Sequence, residues 1–366
     1  MKVLLIGIGA AGNKAVVQAI NDKVVSEEDS IIINSTDKDF PENFGGKKII
    51  LSPNNQGCGK ERATAFAFAK NLIQSDQLNI DCSKYTTVVV CASVEGGTGS
   101  GSAPLIAKYF KHVHNRNVHV IAFIGFEDDP RGLSNTVEFF KELESDLIVQ
   151  TIRNASFMKQ AGNNKFKAEE LANKEMSKRI KIITGQNFIA SEQNIDDTDI
   201  LKVSNTSGYM TVEEKYLDKN LETVDDFNKV VKNMVYNSHS IKSNSPNAIR
   251  IGIILNIDPN SEDAIDYSFK DIKDSYGLPY ETYLQKQWDG DREYIQWIVS
   301  GMQMPLDEIK EIYDRYLAES DKVQKDADAF FKTMEGMQMD SSNNRFDMIK
   351  PEEKKMSVKD FLGSFN

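Results

Sequence analysis

The sequence predicts an α/β fold with a parallel sheet and a long central helix, then a second α+β domain followed by a C-terminal helix and tail. Three observations predict it. Short apolar runs such as Val88-Val89-Val90-Cys91-Ala92 are continuous rather than alternating, so they read as strands covered on both faces. Longer helix-patterned segments separate them, which is the alternation of a parallel sheet. Glycine-rich turns follow two of the runs at once, and in such sheets ligands bind at the carboxyl ends of the strands.

The elements follow in order. Residues 3–6, 31–33, 48–51, 87–92 and 118–124 read as strands, with helices between them. A helical segment at 133–148 leads to Thr151-Ile152-Arg153-Asn154. Residues 166–183 carry Phe166, Leu171, Met176, Ile180 and Ile183 at helical spacing and read as one long helix. Beyond it, 249–257 and 294–302 read as strands of a second unit with an amphipathic helix around 226–235. Pro305, suited to a first helical turn, opens a charged helix to about residue 334, with Leu306, Ile309, Ile312, Tyr313, Tyr316 and Leu317 on one side. Residues 336–366 are polar apart from Val358, Phe361, Leu362 and Phe365 and read as a mobile tail. The expected division is 1–165, a central helix at 166–188, a loop at 189–200, a second domain at 201–304, a helix at 305–335 and the tail.

Of 366 residues, 40% are hydrophobic and 27% charged, which suits a chain with a sizeable core. The formal net charge of −11 repels nucleic acid and anionic membranes at long range, so DNA association would need an adaptor. Met1 leads directly into the first strand and no apolar run approaches the roughly 18 residues of a membrane span, which makes the expected location cytoplasmic. Cys58, Cys82 and Cys91 read as reduced, and His112, His114, His119 and His239 present no ligand constellation in the sequence.

Gly96-Gly97-Thr98-Gly99-Ser100-Gly101 is the richest motif. Four glycines in six residues strip nearly every Cβ from a strand-to-helix connection, so backbone N–H groups can close on a large anion such as a nucleotide phosphate. Gly7-Ile8-Gly9-Ala10-Ala11-Gly12 spells G-x-G-x-x-G after the first strand. With Asp37 it would suit an NAD-dependent oxidoreductase, but that fold needs one such loop and leaves the second unexplained. No G-x-x-x-x-G-K-[ST] loop is present.

Together the two loops resemble the tubulin and FtsZ family of filament-forming GTPases, whose signature loop is G-G-G-T-G-[ST]-G. Glu95 stands where that family has its first small residue, and it either points outward or helps place a metal ion. The resemblance implies that Gly9, Ala10, Ala11, Gly12 and Asn13 face the α and β phosphates of GTP or GDP, and Gly96, Gly97, Thr98, Gly99, Ser100 and Gly101 the β and γ phosphates, with Mg²⁺ as countercharge. Asn34 follows the second strand; Gly57 and Gly59, with Arg62, are similar to the loop that senses the γ-phosphate. Glu127 and Arg131 match the ribose-contacting loop, and Asn154 and Asn173 the two positions that read guanine.

Asn194-Ile195-Asp196-Asp197-Thr198-Asp199 spells N-x-D-x-x-D. Such a loop can cap the following helix or bind Ca²⁺. In the family it completes the site of the next subunit, where Asn194, Asp196 and Asp199 would position the attacking water. The resemblance thus implies a GTPase activated by head-to-tail assembly. Glu95, the helix after Pro305 and the tail look more like the TubZ branch, which segregates plasmid or phage DNA through a small DNA-binding adaptor on a centromere-like site, than like division FtsZ.

Overall fold

Strands buried on both faces place a sheet in the middle of the molecule. The computed structural model describes residues 1–191, 193–217, 224–243, 246–259 and 269–335. In chain order the elements are β1 (Val3–Ile8), α1 (Gly9–Asn21), β2 (Ser30–Asn34), β3 (Lys47–Ile50), α2 (Arg62–Gln74), β4 (Thr87–Ser93), α3 (Thr98–His112), β5 (Asn117–Ile124), α4 (Pro130–Lys141) and β6 (Ile148–Arg153). There follow α5 (Lys165–Ile183), α6 (Asp197–Ser204), β7 (Gly208–Tyr216), α7 (Val224–Tyr236), β8 (Arg250–Asn256), α8 (Lys270–Tyr276), β9 (Glu281–Gln287), β10 (Tyr294–Met302) and α9 (Leu306–Glu335).

Among the described residues one sheet of ten strands runs β3-β2-β1-β4-β5-β6-β7-β10-β8-β9. The strands from β3 to β7 pair in parallel, whereas β10 pairs antiparallel with both β7 and β8. Only Ile148↔Gly208 and Val149↔Tyr209 join β6 to β7, so the two halves of the chain share a sheet across a narrow seam.

Side chains alternate across it. Leu4, Ile6, Val88 and Val90 pack with Phe110, Phe139 and Phe140 on the face covered by α2, α3 and α4, with α9 laid over α4. Val3, Leu5 and Val89 pack with Val16, Met176 and Ile180 under α1 and α5 on the other. A further cluster of Ile195, Ile200, Val203, Met210, Ile254 and Ile298 seats α6 against β8 and β10.

Three elements differ from expectation. The segment read as a helix over 133–148 stops at Lys141, and its last apolar residues enter β6, with Ile148 and Val149 each 2% exposed between neighbouring strands. β7 and β9 were not legible because buried polar residues (Glu213 in one, Gln285 and Gln287 in the other) break their apolar pattern. The tail at 336–366, with Val358, Phe361, Leu362 and Phe365, lies outside the described residues.

Candidate functional site

A pocket of about 350 Å³ opens at the carboxyl ends of β1, β2 and β4. Its wall is mostly main chain: Gly9, Ala10 and Ala11 from the start of α1, Asn34, Ser35 and Thr36 after β2, Gly57, Cys58 and Gly59 from the loop after β3, and Gly96, Gly97, Thr98 and Gly99 before and within α3. Asp39 is the one carboxylate that lines it, and the lining contains no Lys or Arg.

What the pocket offers an anion is helix ends. Neither α1 nor α3 has a side chain capping its N-terminus, and neither has an acidic residue in its first turn. Their leading N–H groups and positive dipole ends therefore converge unneutralised on one space. Ser35 Oγ and Thr98 Oγ1 are hydrogen-bonded to each other in its wall (3.0 Å), and Asn34 is locked by donating to Asp39 (3.2 Å) while its Oδ1 accepts from the Ser35 N–H (2.9 Å).

The glycines divide by task. Gly9 and Gly59 adopt φ of +75° and +54°, a region that suits glycine. A Cβ on Gly96 would meet nothing within 4 Å, so here the bare backbone fronts open space. Gly12 instead backs onto the sheet, where a Cβ would sit 2.3 Å from Cys91 O, and Gly101 packs on α2, 2.3 Å from Arg62 O. Asn13 is fully buried, its amide placed to donate to Gly7 O at 2.9 Å. Gly12, Asn13, Ser100 and Gly101 thus hold α1 and α3 against their neighbours and do not line the pocket. Arg62 is also a brace. Pro104 cannot donate to the carbonyl of Ser100 four residues back, and Arg62 Nη1 donates to it instead (2.6 Å) while Nη2 pairs with Glu142 (2.6 Å).

The loop after β5 is arranged differently from the expected sugar contact. Glu127, at φ +56°, turns its nearly buried carboxylate to Arg153 Nε (3.1 Å) and to Arg315 of α9. Arg131 pairs with Glu61 (2.6 Å) on the rim of a separate, charged cavity of about 510 Å³. Asn154 follows β6, and its buried Oδ1 has no hydrogen-bond partner among the described residues; Asn173 is half-buried on α5. Glu95 does not point outward. It folds inward, accepting the Glu127 N–H at 3.0 Å, and burial together with Asp128 and Asp129 pushes its pKa up to about 7.

Asn194, Asp196 and Asp199 lie on the far edge of the sheet. Asn205, just past α6, meets Thr87 at the start of β4 and His119 near the start of β5, each at 3.3 Å. Asp196 caps α6, its carboxylate accepting the Asp199 N–H at 2.8 Å, and Asp199 faces Lys202 at 3.3 Å. Asn194 Oδ1 accepts from Ser191 (2.8 Å), and the adjacent Ile195 N–H is held by Gln285 (2.7 Å). Asp196 stays exposed. Within one chain these carboxylates do not meet the pocket.

Ser35, Thr36 and Cys58, from the Asn34-Ser35-Thr36-Asp37 and Gly57-Cys58-Gly59 motifs that the sequence places at strand ends, also line the pocket, whereas Asp39 and Ser93 carry no sequence signal of their own. The Glu127-Arg153-Arg315 contact left no sequence signal, because it joins residues far apart in the chain. His112, Glu144 and Asp146 place ligating atoms within 4.8 Å of one another, but Lys108 and His112 already pair with Glu144 (3.2 and 2.5 Å) at the surface. Among the described residues no helix is long and apolar enough to cross a membrane.

Residues 2–162 match the Tubulin/FtsZ family, GTPase domain. The chain is 30% identical over 143 residues to tubulin-like protein CetZ3 of Haloferax volcanii, covering 35% of this chain and 36% of that one. It is 25% identical over 207 residues to tubulin-like protein TubZ of Clostridium botulinum C phage, 55% of this chain and 56% of that. These alignments span between about a third and a little over half of the relatives. The fold resembles the GTPγS-form protofilament of Bacillus thuringiensis serovar israelensis TubZ with a TM-score of 0.68 at 15% identity, over 91% of this chain and 94% of that one. CetZ and TubZ proteins are thus both similar to the chain, and the comparisons do not single out a branch.

Proposed function

Because residues 2–162 are a Tubulin/FtsZ-family GTPase domain, we propose that the chain binds GTP in the pocket between α1 and α3 and hydrolyses it when copies stack head to tail. The convergence of two uncapped helix N-termini on a pocket without basic side chains carries this proposal: a polyanion is what such a space stabilises. Mg²⁺ would add countercharge and polarise the phosphates. The chain's own backbone amides orient the phosphates, and Thr98 and Ser35 add hydroxyl donors. The unpartnered Oδ1 of Asn154 suits the amino and imino edge of guanine.

The lining holds no side chain suited to activate water beside its own phosphate loops; the one carboxylate there, Asp39, is engaged by Asn34. Asn194, Asp196 and Asp199 of a second copy supply that group in this proposal, since Asn194 and Asp196 sit exposed and Asp199 half-buried on the opposite edge. A contact between unlike surfaces of identical chains propagates into an open filament. The finer assignment is a cytoplasmic TubZ-like role, segregating plasmid or phage DNA through an adaptor, and the net charge of −11 favours an adaptor over direct DNA contact.

The test measures guanine-nucleotide binding, sedimentation and phosphate release, with electron micrographs in GTP and in GDP. Binding, GTP-dependent filaments and turnover that climbs more steeply than protein concentration are expected. Asp196→Asn, which keeps an N-cap acceptor, should bind and assemble but release no phosphate. Full turnover by dilute monomer, or unaltered turnover by that variant, overturns the shared site; failure to bind GTP overturns the assignment.

A further inference from the structure

Glu95 occupies the joint between two loops of the site. We infer that it is a positioning residue: its carboxylate couples the phosphate loop to the loop after β5 and, through Glu127, to the C-terminal helix α9. This rests on the nucleotide assignment above only for the words "phosphate loop"; the coupling itself is a matter of contacts.

Glu95 directly precedes Gly96, and its main chain is fixed, because Asn135 Nδ2 donates to Glu95 O (3.0 Å) and to Gly96 O (3.3 Å). Its side chain is fixed as firmly. The carboxylate accepts the Glu127 N–H at 3.0 Å, and the neighbouring Gly125 and Phe126 amides favour its ionised form. The fit requires glycine opposite: a Cβ on Gly125 would stand 2.2 Å from Glu95 Oε2. Held by its N–H, Glu127 takes a left-handed backbone rare for a non-glycine residue, and this aims its carboxylate at Arg153 and Arg315. Arg153 also reaches Glu308 (3.0 Å), so both guanidinium groups tie the loop to α9. Movement of Gly96 is therefore delivered, through one carboxylate and the Glu127 amide it holds, to a helix that is remote in sequence.

The joint has two states. Ionised Glu95 accepts the Glu127 N–H and faces the Gly125 and Phe126 amides; protonated, it is a weaker acceptor and gains a donor, so the loop is released. Burial and the facing acids Asp128 and Asp129 favour the proton, while Lys165 on Asp128 and Lys60 on Asp129 temper those acids, and the balance falls at about 7. A polyanion against Gly96 and Gly97 shifts it further toward protonation, and by linkage proton uptake strengthens anion binding.

Hydrogen exchange of the full chain, corrected for intrinsic rate, tests this at pH 6 and pH 8 with and without GDP. Wild-type protection at 125–127 should rise about tenfold between the two, following the ionised fraction around pH 7. Glu95→Gln should show low, pH-independent protection there and reduced protection at 306–316. Its GDP affinity should lack the component that in wild type strengthens as pH falls through 7. A wild-type profile at 125–127 that is flat with pH overturns the coupling without recourse to any variant. So does a folded Glu95→Gln that keeps wild-type protection there; if it also binds GDP, the pocket assignment survives. Wild-type chain that binds no guanine nucleotide but shows the pH-dependent protection, lost in Glu95→Gln, sinks the pocket assignment and supports the coupling.

Discussion

A methyl group added to residues 96–101 would meet something different at each glycine. At Gly96 it enters open space at the pocket mouth; at Gly97 it falls 2.8 Å from the backbone of Lys60 and Glu61, and at Gly101 2.3 Å from Arg62 O. The same motif therefore serves binding at one position and packing at others, and substitution should separate them. Gly96→Ala is expected to keep the thermal midpoint within about a degree while weakening nucleotide binding, since only the ligand's space is taken. Gly101→Ala forces α2 away from α3 and should lower stability by about 1–3 kcal/mol, the usual range for overpacking. Thermal denaturation and a fluorescent-nucleotide titration on both variants check this, and a stable Gly101→Ala would show that the helices can part at little cost.

Among the elements, α3 illustrates how a defect becomes a joint. Pro104 deprives the Ser100 carbonyl of its helical donor, and Arg62 from the start of α2 supplies one, so the first turn of α3, which faces the pocket, is braced by another helix. Arg62→Ala should cost about 2 kcal/mol by leaving a buried carbonyl unpaired. Pro104→Ala in that background should recover part of the loss by restoring the N–H, a non-additivity that denaturant titration of the two single variants and the double variant would reveal. This brace was not legible in the sequence, where Arg62 stood out only by its spacing from Gly57 and Gly59. The parallel strands β1 to β5 were legible because runs such as Val88 to Ala92 and Val120 to Ile124 carry their burial in their composition. β7 and β9 were not, because Glu213, Gln285 and Gln287 are buried by partners that the chain brings from elsewhere, such as Arg179 and Ser238 for Glu213 and Ile195 for Gln285. Likewise the glycine loops announced the pocket, whereas Glu127's turn toward α9 depends on Arg153 and Arg315, whose proximity only the assembled sheet creates.

For the molecule as a whole, buried charge secures the central helix to the second half of the sheet. Arg179 of α5 is fully buried with Glu175 at 2.9 Å and Glu213 of β7 at 4.0 Å. Burial alone would raise the Glu175 pKa, but Arg179 and Lys178 outweigh it and hold the carboxyl at about 2. A depressed carboxylate stabilises the fold above its ordinary value near 4.5, and that contribution is lost as pH falls toward 2. Glu175→Gln, which strips Arg179 of its nearest partner, should cost about 3–5 kcal/mol at neutral pH. The gap from wild type in denaturant midpoint should narrow steadily below pH 4.5; a constant gap would mean that Glu175 acts by packing alone. The second consequence concerns assembly. The pocket lies at the carboxyl ends of the parallel strands and Asp196 at their amino ends, so a chain that lacks one half of the proposed site can still lend the other. Gly96→Val fills the pocket mouth but leaves α6 untouched; Asp196→Asn keeps the pocket and the helix cap. Each should be inactive alone. Mixed in equal amounts, about a quarter of random head-to-tail contacts join an intact pocket to an intact Asp196, and phosphate release should return to about that fraction of wild type. An inactive mixture, despite co-sedimentation of both variants, would place the two halves of the site in the same chain after all.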